Sequence, residues 1–287
     1  SSCAVSIKGG VVKAIKPLVL CMVVTVLFFA GAAACARPEQ GDENRQQQEQ
    51  TMVTGQGRLA GKTIYWLGSS VTYGYASGGK SMAEFLSESE GCDSVKEAVS
   101  GTTMFTDKFS TMPAAYGSYT QRLTSTAKFK KDEKVDAFIC QISTNDAAGS
   151  YFSKWGKVTA ADVTRPEQFD LYTTAGAMEY IIAYVEQTWD CPVLFYSGAY
   201  FGDGVYDGVN GSDYAELIKL AYSVVQKWSG IEGVEVGIID MFNDEQFNDI
   251  PGEDYDRCMS DAVHPTLEGY EKWWTPYFAE YLVEYFI

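Results

Sequence analysis

The sequence has 287 residues but only one histidine, His264, beside seven cysteines. The cysteines are spread singly and no two form a Cys-x-x-Cys pair, so they cannot build a zinc site with one histidine. One polar cluster could suggest calcium, but its spacing is not that of an EF-hand loop. It comprises Asp203, Asp207, Asn210 and Asp213. We therefore expect neither a metal ion nor another cofactor.

Basic residues are also scarce, with 22 Lys and Arg against 38 Asp and Glu and a net charge of −16. Nucleic-acid binding needs a basic face, so nucleic acid is excluded as a partner. The same surplus of acids disfavours polyanionic substrates and anionic lipid surfaces. The sequence carries no pattern that predicts an oligomeric state.

The first 35 residues have the pattern of an export signal. Lys8, Lys13 and Lys16 precede an uncharged apolar run over residues 18–34, which ends in Gly-Ala-Ala-Ala-Cys35. The small residues before Cys35 resemble a bacterial lipoprotein cleavage box, which makes Cys35 a lipidation candidate. Cleavage after Ala34 without lipidation and retention as a membrane anchor are the alternatives. All three place the rest of the protein outside the cytoplasm, and the only expected membrane contact is through the N-terminal anchor where one is retained.

Residues 36–60 are rich in Gln, Glu and Gly and almost free of apolar side chains, so we predict a disordered tether. Residues 61–287 are long enough for one domain with a full core. Five apolar runs there predict buried strands, at 63–67, 94–99, 137–142, 192–196 and 234–241. Helical patterns lie between or after them, notably at 173–189, 213–228 and 267–286. This alternation predicts an α/β fold with a parallel sheet covered on both faces.

The first predicted strand runs into Gly68-Ser69-Ser70, at the sheet edge where open α/β folds bind ligands. Ser70 is therefore a candidate nucleophile, although a serine here could instead only cap the next helix. A serine nucleophile needs a base, and the base needs a group that orients it. His264 and Asp261 are three residues apart, so their side chains can meet on one face of a helical turn.

Four segments together resemble the motif blocks of the SGNH (GDSL) hydrolase superfamily. They are GSSVTYG at 68–74, VSGT at 99–102, STND at 143–146 and DAVHP at 261–265. The resemblance implies a flavodoxin-like three-layer α/β/α sandwich with a five-stranded parallel sheet. It further implies that Ser70 attacks an ester, His264 is the base and Asp261 orients it. The implied oxyanion hole consists of the backbone N–H groups of Ser70 and Gly101 and the amide of Asn145.

Two positions depart from the family pattern, which usually has Asp at Ser69 and Gly at Ser143. Neither position carries a proton transfer, so the departures leave the predicted chemistry possible but imply different support around the nucleophile.

Two long loops, residues 147–171 and 200–213, should flank the site and shape the substrate pocket. Their aromatic residues are candidate substrate-binding residues, or alternatively anchors of the loops: Tyr151, Phe152, Trp155, Phe201 and Tyr206.

No amphipathic segment suited to a lipase lid appears in the domain. The sequence thus predicts an exported serine esterase acting on short-chain, above all acetyl, esters of carbohydrate. The alternatives are a lipase or lysophospholipase of the same family and a non-catalytic glycan-binding lipoprotein.

Overall fold

The computed structural model describes residues 5–8, 11–14, 57–108 and 111–286. The predicted apolar run, Cys35 and most of the predicted tether lie outside the described residues. Near the start of the chain, β1 (Val5–Lys8) and β2 (Val11–Ala14) pair antiparallel as a short hairpin that the sequence analysis did not predict.

The domain is built on a five-stranded parallel sheet, which confirms the predicted fold class. In chain order its strands are β3 (Thr63–Gly68), β4 (Asp93–Ala98), β5 (Ala137–Gln141), β6 (Val193–Tyr196) and β7 (Val236–Ile239). In space the order is β4-β3-β5-β6-β7, with every pairing parallel. Every residue of β5, β6 and β7 is buried, as expected for strands covered by helices on both faces. Because the strands are parallel, all their carboxyl ends lie along one edge.

Nine α-helical segments accompany the sheet in the described part of the chain. They are α1 (Ser70–Tyr73), α2 (Met82–Glu90), α3 (Tyr119–Ser125), α4 (Thr174–Trp189), α5 (Gly211–Trp228), α6 (Glu245–Asn248), α7 (Gly252–Cys258), α8 (Leu267–Gly269) and α9 (Thr275–Phe286). The helices predicted at 173–189 and 213–228 match α4 and α5. None of the helices in the described ranges is long and apolar enough to cross a bilayer.

The predicted C-terminal helix is interrupted by a π-helical turn, Tyr270–Trp274, between α8 and α9. The turn lets Tyr270, which is fully buried, donate its hydroxyl to the carbonyl of Val71 in α1 at 2.6 Å. Gly269 sits so close to α7 that a Cβ there would lie 2.0 Å from the carbonyl oxygen of Cys258. These contacts fix the connection between α7 and α8, residues 259–266, against α1.

The domain begins earlier than the predicted boundary at residue 61. Leu59 is 1% exposed, and its amide donates to the Glu90 carbonyl at 2.9 Å. Arg58 donates to the carboxylates of Glu90 and Glu280 at 2.9 and 2.6 Å. Residues 57–60 therefore belong to the domain rather than to the tether, because two carboxylates from distant helices hold this short polar segment.

Candidate active site

The turn after β3 presents Ser70 at the carboxyl edge of the sheet. Gly68 ends the strand, and a Cβ there would lie 1.7 Å from the Thr72 hydroxyl, so only glycine allows α1 to fold back this tightly. Ser69 occupies the N-cap position of α1 but makes no side-chain capping bond. The capping role weighed for these serines is therefore not what their side chains do.

A buried glutamine, Gln141 at the end of β5, holds this turn in place. Its Oε1 accepts from the amides of Ser69 and Thr72 at 3.0 and 3.1 Å, and from the Thr72 hydroxyl at 2.8 Å. The Thr72 hydroxyl also meets the hydroxyl of Tyr196 in β6 at 2.6 Å. The position of Ser70 is thus set from β5, the neighbour of β3, and from β6 on the far side of β5.

Ser70, His264 and Asp261 form a continuous hydrogen-bonded chain. The Ser70 Oγ lies 2.7 Å from Nε2 of His264, and Nδ1 of His264 lies 2.8 Å from Oδ2 of Asp261. The other oxygen of Asp261 accepts from the amides of Val263 and His264, each at 2.8 Å. His264 is 5% exposed. The structure therefore joins three residues that the sequence analysis grouped by catalytic chemistry and by the family resemblance.

The surroundings of Asp261 lower the pKa of its carboxylate. Partial burial acts to raise its pKa, but the hydrogen bonds from the His264 ring and the two amides outweigh burial and hold the pKa below its ordinary value. An ionised Asp261 accepts a hydrogen bond from a protonated Nδ1 of His264, which leaves Nε2 as the basic nitrogen facing Ser70.

The predicted oxyanion donors lie on segments that contact one another. Gly101 has φ +78°, a conformation that favours glycine. The Asn145 amide donates one hydrogen to the carbonyl of Thr102 at 2.9 Å, which leaves its second hydrogen for a ligand. The backbone N–H groups of Ser70 and Gly101 donate to no other group in the described ranges. All three donors therefore retain a hydrogen for a developing oxyanion.

Ser143, one of the two departures from the family pattern, organises this region. Its hydroxyl donates to the Thr102 carbonyl at 3.1 Å and accepts from the backbone N–H of Asn145 at 3.2 Å. Ser69, the other departure, is 1% exposed, and its hydroxyl has no hydrogen-bond partner among the described residues.

Asp146 is a buried carboxyl that the sequence analysis quoted within a motif without giving it a role. It accepts from the amide of Met104 at 2.9 Å and from the hydroxyl of Thr174 at 2.8 Å. Complete burial raises its pKa to about 7, against the opposing effect of these donors. Asp146 thereby ties the segment after Gly101 to the start of α4.

Two tyrosine rings flank the imidazole of His264. The centroid of Tyr75 lies 5.1 Å from that of His264 and the centroid of Tyr206 lies 5.9 Å from it. Tyr75 is 62% exposed and was not predicted as a site residue. Tyr206 also lines a cavity of about 550 Å³, together with Phe152 and the loop at 204–210. Of the predicted substrate-binding residues, Phe152 and Tyr206 therefore face open space near the triad.

The other three predicted substrate-binding aromatics hold the loops in place. Phe201 is 4% exposed and stacks on Tyr214 at 5.7 Å, so the structure places it in the core as a loop anchor rather than open to substrate. The Trp155 indole donates to the Asp146 carbonyl at 2.7 Å, and the Tyr151 ring packs edge-on against Phe105. These half-buried rings match the alternative interpretation of the sequence, in which loop aromatics serve as anchors.

The polar cluster considered for calcium supports the start of α5 instead. Asp203 accepts from the amide and hydroxyl of Ser212 at 2.8 and 3.0 Å, and the Asn210 amide donates to Asp213. In the described part of the chain, no group of three or more His, Cys, Asp or Glu side chains is placed to hold a metal ion.

Known structures share this fold. A protein from Lactobacillus plantarum superposes with a TM-score of 0.56 at 17% identity, covering 79% of this chain and 99% of that one. A family two carbohydrate esterase from Clostridium thermocellum, in complex with cellohexaose, gives 0.49 at 14% identity, with coverage of 79% and 63%. An inhibitor-bound aryl esterase of M. smegmatis gives 0.48 at 13%, with coverage of 78% and 99%. The first of these shows the fold.

The sequence itself matches a family model described as "GDSL-like Lipase/Acylhydrolase" over residues 64–274. No curated protein gives a significant match. The matched range is more than half of the chain and contains Ser70, Gly101, Asn145, Asp261 and His264. The chain therefore belongs to the GDSL-like lipase/acylhydrolase family and is an ester-cleaving hydrolase.

Proposed function

We propose that the protein is a serine esterase in which Ser70 is the nucleophile, His264 the general base and Asp261 the group that orients and stabilises the imidazole. The observation that carries this proposal is the unbroken chain from Ser70 Oγ through both nitrogens of His264 to Asp261, at 2.7 and 2.8 Å. Heavy-atom distances in this range permit direct proton transfer from the hydroxyl to the base.

The reaction follows from these positions. Ser70 attacks the ester carbonyl and passes its proton to Nε2 of His264, while Asp261 stabilises the imidazolium. The carbonyl oxygen becomes an oxyanion that the Ser70 and Gly101 N–H groups and the Asn145 amide stabilise. When the intermediate collapses, His264 returns the proton to the leaving alcohol. Water then attacks the acyl-enzyme by the same route and releases the acid and the free Ser70 hydroxyl.

A fluorophosphonate probe tests the nucleophile directly, because it labels only an activated serine. The wild type should be labelled and Ser70→Ala should not. Ser69→Ala is the matched control, since Ser69 is the adjacent serine and its buried hydroxyl has no hydrogen-bond partner in the described part of the chain. This variant should be labelled like the wild type. An unlabelled wild type would favour the non-catalytic glycan-binding alternative. Unchanged labelling of Ser70→Ala would assign the nucleophile elsewhere.

For the substrate, we propose a short acyl group, above all acetyl, carried on a neutral carbohydrate. The exposed Tyr75 beside His264, together with Tyr206 and Phe152 on the neighbouring cavity, offers flat apolar faces of the kind on which sugar rings pack. The net charge of −16 disfavours polyanionic substrates. These features support a neutral sugar ester over an anionic lipid.

An acyl-chain series of model esters from acetate to octanoate tests this choice. We expect kcat/KM to fall as the chain grows, because each methylene that cannot fit costs about 1 kcal/mol or more. Acetate release from isolated cell-wall and plant polysaccharides would then identify the carrier. A kcat/KM that rises with chain length and jumps above the micellar concentration would favour the lipase alternative.

We also propose that the enzyme is exported and anchored through a lipid on Cys35. The support is the sequence pattern of residues 1–35, in which lysines, an uncharged apolar run and small residues precede Cys35. In a bacterial host, the full chain should incorporate labelled palmitate and sediment with membranes, and Cys35→Ala should do neither. Palmitate labelling that survives the substitution would refute lipidation at Cys35.

A further inference from the structure

Arg122 in α3 is fully buried, at 0% exposed. Its guanidinium carries five N–H donors, which need acceptors supplied by the fold because water does not reach them. Its Nε donates to the carbonyl of Gly117 at 3.0 Å and its Nη1 to the carbonyl of Glu97 at 3.2 Å. Its Nη2 donates to the carbonyl of Gly68 at 2.8 Å and to the hydroxyl of Thr102 at 3.0 Å.

Two of these acceptors lie next to the oxyanion donors. Gly68 is the residue from which the turn carrying Ser70 departs, and Thr102 directly follows Gly101. The carbonyl of Thr102 in turn accepts the Asn145 amide at 2.9 Å. One guanidinium nitrogen therefore connects the segments that hold all three proposed donors.

The charge of Arg122 is largely balanced where it lies. The Glu97 carboxylate is 3.5 Å from Nη1 and is itself buried. Burial lowers the pKa of Arg122, but arginine remains protonated in proteins. Because a nearby carboxylate offsets the positive charge, geometry rather than net charge is what Arg122 supplies to the neighbouring segments.

We propose that Arg122 is a positioning residue of the oxyanion hole: it fixes the Ser70 turn and the Gly101–Thr102 segment relative to each other, so that the three donors converge on one point. This inference rests on the proposed function. Oxyanion donors act only when they are fixed before the charge develops, so loosening them lowers kcat and leaves substrate binding nearly unchanged.

Arg122→Lys tests geometry against charge, because lysine keeps the charge but cannot reach the same acceptors with a planar fork. We expect kcat to fall about 100-fold with KM within about threefold, and affinity for a phenylboronic acid, which mimics the tetrahedral intermediate, to weaken about as much as kcat. Thr102→Val removes one acceptor and should lower kcat about tenfold. The double variant should be no worse than Arg122→Lys, since both changes break one connection.

The matched control is the reciprocal exchange at another buried cation, Lys227→Arg. Lys227, near the end of α5, is paired with Glu179 of α4. Its hydrogen bonds go to Thr159, Val163 and Glu179, not to the segments that carry the three proposed donors. Rates are normalised to active sites titrated with the fluorophosphonate probe, and Tm is measured for each variant. The control should lower Tm without changing kcat by more than about twofold.

The outcomes separate the inference from the function on which it rests. A wild type with no esterase activity overturns the proposed function. An active wild type with unchanged kcat and boronate affinity in Arg122→Lys and Thr102→Val overturns the role of Arg122 alone. If Arg122→Lys fails to fold, Thr102→Val still decides, because an unchanged kcat and boronate affinity in that variant refute the connection. Additive losses in the double variant would also refute it.

Discussion

At the scale of single residues, the hydrogen bonds from Ser70 through His264 to Asp261 give the first prediction. Ser70→Ala and His264→Ala should each lower kcat about 10⁴-fold, and Asp261→Asn somewhat less, because the oxyanion donors remain in all three variants. Steady-state hydrolysis of a short-chain ester measures the effect. Rates within about tenfold of the wild type for either of the first two would contradict the assignment.

Asp261 and His264 could be predicted because they lie within one short motif. Ser70, 194 positions before His264, could be predicted because its own segment resembles a second motif of the same family. His264 is the only histidine, and Asp261 lies three positions before it. Gln141 and Arg122 could not be predicted in the same way. Gln141 binds the amide of Ser69 from 72 positions away, and Arg122 binds the carbonyl of Gly68 from 54 positions away. Their partners are backbone groups, which exist at every residue and leave no signature in the sequence.

At the scale of elements, one loop carries two aromatic residues with opposite roles. Tyr206 lies beside His264 and the cavity, so Tyr206→Ala should raise KM for a sugar ester and change the free energy of unfolding little. Phe201 is in the core, so Phe201→Ala should lower the free energy of unfolding by about 3–5 kcal/mol and leave KM unchanged. Kinetics and urea unfolding of the pair test this contrast, and an exchange of the two phenotypes would show that the loop is misassigned.

Asp146, which connects the segment after Gly101 to α4, predicts how stability depends on pH. Its pKa is about 7 in the folded protein, compared with 3.8 for an ordinary aspartate, which serves as the value in the unfolded chain. Between these two pH values the folded state binds more protons than the unfolded state, so stability falls as pH rises. Relative to Asp146→Asn, the wild type should lose about 2–3 kcal/mol of unfolding free energy between about pH 5 and pH 8. Urea titrations of both proteins at the two pH values give the difference. A constant difference would mean that Asp146 is ionised throughout.

The strands could be predicted to within two residues because four of them are short apolar runs between breakers, whereas β4 (Asp93–Ala98) is a more polar edge strand that is only partly buried. Two smaller features could not be predicted. The π-helical turn at Tyr270–Trp274 has the same spacing of aromatic residues as the helices around it. The sequence pattern therefore does not distinguish this turn from a regular α-helix. Residues 57–60 look like tether because Leu59 is the one large apolar residue among them, and the carboxylates that hold Arg58 come from Glu90 and Glu280.

For the whole molecule, the four described cysteines in the domain make a simple prediction. Cys92, Cys140, Cys191 and Cys258 are buried with free thiols, so no disulfide among them stabilises the fold. Tm should therefore change by no more than about 2 °C when dithiothreitol is added, because an intact disulfide typically contributes 2–4 kcal/mol. Differential scanning calorimetry with and without the reductant measures it. A large drop in Tm would reveal a bridge.

The attachment of Arg58 to the domain determines at which edge of the sheet the preceding part of the chain joins the enzyme. Arg58 and Leu59 are fixed beside Lys62, just before the amino end of β3, whereas Ser70 follows the carboxyl end of that strand. Six extended residues separate the two ends by roughly 17–20 Å. Whatever is joined to the chain ahead of residue 57, be it a membrane, a bead or a fusion partner, therefore meets the sheet edge opposite the catalytic serine. Coupled to a solid support through that end, the enzyme should keep its catalytic face turned outward, open to polymers too large to diffuse underneath it.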